Sequence, residues 1–310
     1  MSDSENNTNL DDGIAIKEIF NAIWGKKIFI FSFTLLAAIL SILYALSLQN
    51  IYTSEAVLAP ANPKNSLSNQ LSGFSSLAGI AGINLPQETG GKAQEALERI
   101  KSYDFFVEQI IPYIKFENLV AVKEWDRKNN KIYYDNNIFN SDTNKWGVSE
   151  ATSVSLKPSN QDAYITYSKI LSISEDRKNS FVSIRIDHKS PYIAELWLKI
   201  LIKNINNHMR ELDKAVAKNA INFLNESIIS AQLAEVKLVI SKLLESQIQT
   251  LTLAEANYNY IFKPISSPIV PERKSSPKRA SICIIGTILG FILSILISIV
   301  FYYYAAMKRH

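Results

Sequence analysis

The chain has 310 residues, a net charge of +4, one cysteine and 47% hydrophobic residues. The lone Cys283 excludes an internal disulfide, and a mild charge without an RNP, zinc-finger or helix-turn-helix pattern gives no sign of a nucleic-acid binder. Two long uncharged runs near the ends leave roughly 230 residues between them, enough for one cored domain.

Met1–Gly13 is polar and acidic, and is predicted to be disordered. Ile16, Ile19, Phe20, Ile23 and Trp24 follow at helical spacing. They predict an amphipathic helix over Ile14–Trp24, lying on a membrane surface or against a partner. Ile28–Leu48 is uncharged throughout, long enough to cross a bilayer and too long for the apolar part of a signal peptide. Trp24, Lys26 and Lys27 stand at its start as interface anchors. No Lys or Arg follows until Lys64. That bias puts the N-terminus in the cytoplasm and the chain after residue 48 outside it.

Gln49–Pro60 alternates and is rich in β-formers, predicting a strand that leaves the membrane. Asn65–Gln87 is uncharged and glycine-rich. It predicts a mobile loop, either a plain one or one that meets a neighbouring subunit or the membrane. Lys92–Ile111 returns to helical period until Pro112 stops it. Residues 125–150 are polar, Asn-rich and predicted to be loop. Strands are predicted at Ser153–Lys157, Ile170–Ser174 and Phe181–Asp187, with Tyr164–Tyr167 fitting helix or strand.

Ser190-Pro191 then predicts a helix start, Ser as N-cap and Pro in the first turn. Neither Gly nor Pro occurs from Tyr192 to Lys263. Leu198, Ile202, Ile205, Met209, Leu212 and Val216 recur at alternating four and three, a heptad seam. Leu233, Val236, Ile240 and Leu243 repeat the spacing. An unbroken helix from 192 to 256 would rise about 100 Å, while the chain from 257 to 280 reaches about 80 Å at most. A reversal is therefore predicted between about 220 and 240, where Asn219, Asn222, Asn225, Ser227 and Ser230 weaken the helix.

Tyr258–Phe262 reads as a returning strand that pairs with 51–58. Pro264, Pro268, Pro271 and Pro277 follow in a linker over 264–280. Repeated prolines favour an extended, semi-rigid backbone. A second span is predicted over 281–304, with Gly286 and Gly290 as a GxxxG pair that lets another helix approach closely. Tyr302, Tyr303 and Tyr304, then Lys308 and Arg309, mark its far end.

Residues for chemistry are missing from the places that would make a site. His188, His208 and His310 lie in no HExxH and beside no Cys cluster, so no metal site is readable. There is no GxSxG and no phosphate loop. His188 reads as a solvated turn residue, and His208 lies off the seam. Asp11-Asp12 and Glu175-Asp176 read as solvated charges. No enzyme activity and no cofactor are predicted.

Four stretches carry a resemblance. They are IAIKEIFNAIWGKKIFIF before the first span, YTSEAVLAP after it, VSIRIDHKSPYIAELWLKILIKNINNHMR, and NYNYIFKPISSPIVPERKSSPKRA running into the GxxxG-bearing span. In these the chain resembles the Wzz chain-length determinant family, the polysaccharide co-polymerases of bacterial inner membranes. The proline spacing is less regular, and the hairpin shorter, than in members with the longest extensions.

The resemblance implies a non-catalytic regulator of surface polysaccharide length, of the class without a kinase domain, with lipopolysaccharide O-antigen as its product. The alternative is a non-kinase subunit of a capsule or exopolysaccharide export complex. Its implied partners are identical subunits in a ring, the polysaccharide polymerase and the growing lipid-linked glycan. The fold it implies is an α+β membrane protein. A cytoplasmic tail over 1–27 precedes a span over 28–48 and a periplasmic body over 49–280. That body has an α/β base over 49–190 and 257–263 and a long antiparallel helical hairpin over 191–256. A span over 281–304 and a cytoplasmic tail over 305–310 close the chain. The second span is expected to pack through Gly286 and Gly290 against a helix of a neighbour or of the polymerase.

Overall fold

A computed structural model describes residues 24–61, 91–148, 155–176 and 178–307. The tail predicted to be disordered, nearly all of the predicted amphipathic helix, the segment predicted to be a mobile loop, residues 149–154, residue 177, and Lys308, Arg309 and His310 lie outside the described residues. The chain forms two compact units, Met1–Asn50 with Ser275–His310, and Ile51–Lys274.

The first unit is a pair of apolar helices, α1 over Lys27–Ser47 and a last helix over Arg279–Met307. Both are long and apolar enough to cross a bilayer.

The second unit is built on a four-stranded antiparallel sheet. Its strands are β1 (Tyr52–Pro60), β6 (Leu171–Glu175), β7 (Val182–His188) and β8 (Phe262–Ser266), in the order β6-β7-β1-β8. β1 pairs with β7 from Tyr52 opposite His188 to Leu58 opposite Val182. The period-two pattern explains the orientation. Val182, Ile184 and Ile186 of β7 and Ala56 and Leu58 of β1 are fully buried on one face. The other face is polar: Arg185 pairs with Glu55 at 3.6 Å and Thr53 Oγ1 donates to Asp187 at 2.5 Å.

Helices cover the apolar face. They are α2 (Lys92–Ile100), an irregular helical run over Tyr103–Tyr113, α4 (Asn160–Ile170) and the first part of α5 (Pro191–Ser230). Leu97, Ile100, Phe106, Ile110, Tyr167, Trp197, Leu198, Leu201, Ile205 and Met209 fill the core with the strands. Each such side chain contributes about 1.5–3 kcal/mol on burial. Between α2 and α4 lie α3 (Phe116–Val120) and two small hairpins, β2–β3 (Val122–Asp126 with Lys131–Tyr134) and β4–β5 (Phe139–Asn140 with Lys145–Trp146).

Several expectations need correction. Lys92–Ile111 is not one helix. It breaks after Ile100, where Ser102 Oγ accepts from Phe105 N at 3.2 Å and caps a new turn. That turn continues as a π-helix over Phe106–Ile110 before Pro112 is reached. The predicted loop over 125–150 is not loop across its described residues, 125–148; they hold most of the β2–β3 hairpin and all of β4–β5, whose turns use left-handed Asn130 and Asn144. Tyr164–Tyr167 is helix, with Ser159 and Asp162 forming a capping box at its start. Ser190 sits at the N-cap, but its side chain makes no cap bond. The returning strand is Phe262–Ser266, four residues later than predicted. It does pair with β1, from Val57 to Pro60. Pro264 therefore lies in a strand, opposite Leu58, and not in a linker.

His188 is the largest correction. It is the last residue of β7, 6% exposed, and stacks edge-on to Trp197 at 5.1 Å. Ser190 N–H donates to its Nδ1 at 2.9 Å, and its Nε2 faces the Asn118 carbonyl at 2.8 Å. That arrangement fixes the neutral tautomer with the proton on Nε2. Burial pushes its pKa below the ordinary value.

The chain reverses once beyond the base. α5 ends at Ser230 and α6 runs over Ala234–Ala256, packed against it. The turn falls inside the predicted window, and Ala231 is extended there. α5 spans about 60 Å and α6 about 35 Å. Counting back from the turn by the length of α6 brings its end level with Asn206–Asp213, and the next residues dock there. Asn206 Oδ1 accepts from Ile261 N at 2.8 Å and Phe262 N at 2.9 Å. Asp213 accepts from Tyr260 Oη and Lys92 Nζ, each at 2.5 Å.

Candidate functional site: the paired apolar helices and the hairpin

The helix over Arg279–Met307 is α7. Within the first unit α1 and α7 run antiparallel, with small residues facing each other. A Cβ added at Gly286 would stand 2.7 Å from Ser41 Cβ, and one at Gly290 under 3.0 Å from Ala37 Cβ. Both glycines are therefore spent on contact with α1 of the same chain. This corrects the expectation that they meet a neighbour or a polymerase. Ser41 Oγ donates to the Ile282 carbonyl at 3.0 Å across the same seam.

The small-residue row continues beyond Gly290. Ser294 and Ser298 follow Gly290 at the same four-residue spacing and are fully buried. On α1, Ser41 and Ala45 are buried at the matching interval. The signal was legible as an i, i+4 repeat of small side chains. The pair is tied at both ends. Arg279 donates to the Leu48 carbonyl at 3.2 Å and to Asn50 Oδ1 at 3.3 Å. The Lys26 ammonium sits 4.6 Å from the Phe301 ring centroid. The outward faces, Leu35, Leu36, Ile39, Leu43, Ile288, Leu289 and Ile292 among them, are exposed and apolar, as a lipid-facing surface requires.

In the second unit the predicted seam divides. Leu198, Ile202, Ile205 and Met209 are buried in the core, and Leu212 packs against it. Val216 is 64% exposed. The first part of the seam thus meets the core of the base, both the sheet and the helical run over Tyr103–Tyr113, and not the second helix of the hairpin. The four-three spacing could not say which surface would cover it.

The hairpin beyond is the opposite case. On α6 only Ala254 is buried, while Val236, Leu238, Val239, Leu243, Ile248 and Leu253 are exposed, and so is Leu233 just before it. Across from it on α5, Phe223 and Ile229 are exposed as well. A helix with apolar residues around it is ordinarily covered. Of the linker prolines, Pro264 is in β8, and Pro268 and Pro271 follow it close to β1, where Ser54 Oγ donates to the Ile269 carbonyl at 2.9 Å. Pro277 belongs to the first unit and precedes α7. Among the described residues no group of three or more His, Cys, Asp or Glu is placed to hold a metal ion.

The family model for Wzz, chain length determinant protein, matches residues 12–110. The comparison with curated proteins gave no match. Two solved structures are similar at 13% identity. One is a full-length bacterial polysaccharide co-polymerase, covering 94% of this chain and 97% of its own with a TM-score of 0.38. The other is a fragment of WzzB, a polysaccharide co-polymerase from Salmonella Typhimurium, covering 73% of this chain and 100% of its own with a TM-score of 0.32. The match over residues 12–110 takes in the first apolar helix and β1, and with it the resemblance to the Wzz chain-length determinant family is borne out.

Proposed function

We propose that this protein sets the length of a surface polysaccharide, with O-antigen as its product, as a ring of identical subunits in the bacterial inner membrane. Both termini then lie in the cytoplasm and the body over 49–280 in the periplasm. The observation that carries the reading is the uncovered apolar surface of α6 and distal α5, on a chain whose N-terminal third matches the chain-length determinant family. Such a surface favours a second copy of the same hairpin, and repetition around an axis gives a ring. The protein does no chemistry of its own and needs no cofactor in this reading. It holds the polymerase or the growing lipid-linked glycan, so that release follows a set number of additions. Polymerase contact falls to the lipid-facing sides of α1 and α7, because their small-residue faces are occupied by each other.

A deletion strain tests this on a carbohydrate gel. Clustered chain lengths should become random and return when the gene is restored. An unchanged ladder in the deletion strain removes the proposal.

A further inference from the structure

We propose that the β2–β3 hairpin is a peripheral membrane anchor that seats among anionic phospholipid headgroups. The inference rests on the reading of α1 and α7 as membrane spans. It begins with chain geometry. Tyr52, the first residue of β1, follows the last residue of α1 by five positions, a tether of at most about 17 Å. A tether of that length lets the end of the sheet where β1 begins reach the bilayer surface.

The β2–β3 hairpin lies at that same end. The Trp125 ring meets Tyr52 edge-on at 5.4 Å and Tyr192 at 6.0 Å. Lys189 Nζ donates to the Val122 carbonyl. The hairpin carries Lys123, Arg127, Lys128 and Lys131, all exposed, against Glu124 and Asp126. Asp126 is occupied within the turn, accepting from Lys128 N at 2.8 Å and Asn129 Nδ2 at 2.7 Å. Tyr133 is 41% exposed and Tyr192 47%. Trp125 Nε1 donates to Asn130 Oδ1 at 2.8 Å, which pairs its polar edge and leaves its apolar body to the surface. Amphipathic rings beside cations are what an interface between water and lipid selects, and the excess positive charge matches anionic headgroups.

Spin labelling of the full chain in nanodiscs tests it, in a Cys283→Ser background. Labels go at Lys128→Cys on the hairpin, Ser241→Cys on α6 as an aqueous reference, and Leu40→Cys in α1 as a bilayer reference. In discs containing phosphatidylglycerol, the label at 128 should collide less with a water-soluble nickel reagent than the label at 241. Arg127→Gln with Lys131→Gln should reduce the seated fraction about fivefold per charge removed. If position 128 is as accessible as 241 while position 40 is shielded, the anchor is wrong and the spans stand. If position 40 is accessible too, the spans themselves fail. Protection of 128 that persists in neutral phosphatidylcholine discs or in lipid-free detergent assigns the hairpin to another copy of the chain and overturns the proposal.

Discussion

Gly290→Ala is the smallest change that probes the helix pair. The new Cβ would lie under 3.0 Å from Ala37 Cβ, where relaxed carbon contacts need about 3.5–4.0 Å. The helices must therefore part by more than about 1 Å at this point, and facing atom pairs lose about half of their attraction or more. Overpacking of this kind costs about 1–3 kcal/mol. Parting also lengthens the Ser41–Ile282 bond, now 3.0 Å, a loss of about 0.6 kcal/mol for an interhelical bond in lipid. Ala37→Gly removes the opposing methyl group. It should cost little alone and restore most of the stability when combined with Gly290→Ala. SDS titration of the full chain in mixed micelles would measure the cycle. A neutral Gly290→Ala, or a double variant no better than the single, would show that the two helices do not meet there. Dissociation of the oligomer with the pair unchanged would return the glycines to a neighbour.

The hairpin surface gives a second expectation. Leu238→Glu with Val239→Glu changes side chains that are 58% and 57% exposed in one chain. The body should stay folded by circular dichroism, while light scattering in mild detergent finds the oligomer lost and the ladder randomised; intact assembly would clear this face of the role. Asn206→Leu leaves the buried N–H groups of Ile261 and Phe262 without their acceptor. A loss of about 1–3 kcal/mol per group is expected in urea unfolding, and a wild-type midpoint would refute the clamp. The last concerns pH. His188 is neutral in the fold with its pKa held below 6.5 by burial, so below that pH the unfolded chain binds more protons. Stability is then full above pH 6.5 and falls as the pH drops below it, by up to about 1.4 kcal/mol per pH unit for one proton. His208 shifts in the same direction, through burial and then the Arg99 charge. His188→Gln should therefore reduce the slope between pH 7 and pH 5 and not abolish it. An identical slope in the variant, followed by urea midpoints, would exclude His188.

Long elements were legible because their signals are long. The two spans, the strand after the first, and the helix from Pro191 follow from composition and period, while a reach argument required the reversal and the Asn- and Ser-rich stretch from Asn219 to Ser230 placed it. The Asn-rich stretch was misread because strands of two to five residues carry no period. Its signal was turn chemistry: Asn130 and Asn144 in left-handed conformation, and Asp126 and Asn140 side chains bonding backbone N–H groups two residues on. His188 was misread because its partners, Asn118 and Trp197, come from distant segments. GxxxG announced a close helix contact, but nothing in the motif says which helix supplies the other side.

α5 is both a core element and one rail of the projecting arm. Its first turns, with Trp197 and Leu201, lie under the sheet, and the same unbroken rod carries Phe223 and Ile229 near the tip. No glycine or proline interrupts it after Pro191, so the arm has no hinge at its root. Where two such arms press together, the angle between them is handed down as the angle between their sheets, and the tip and the floor of any assembly are fixed by one choice.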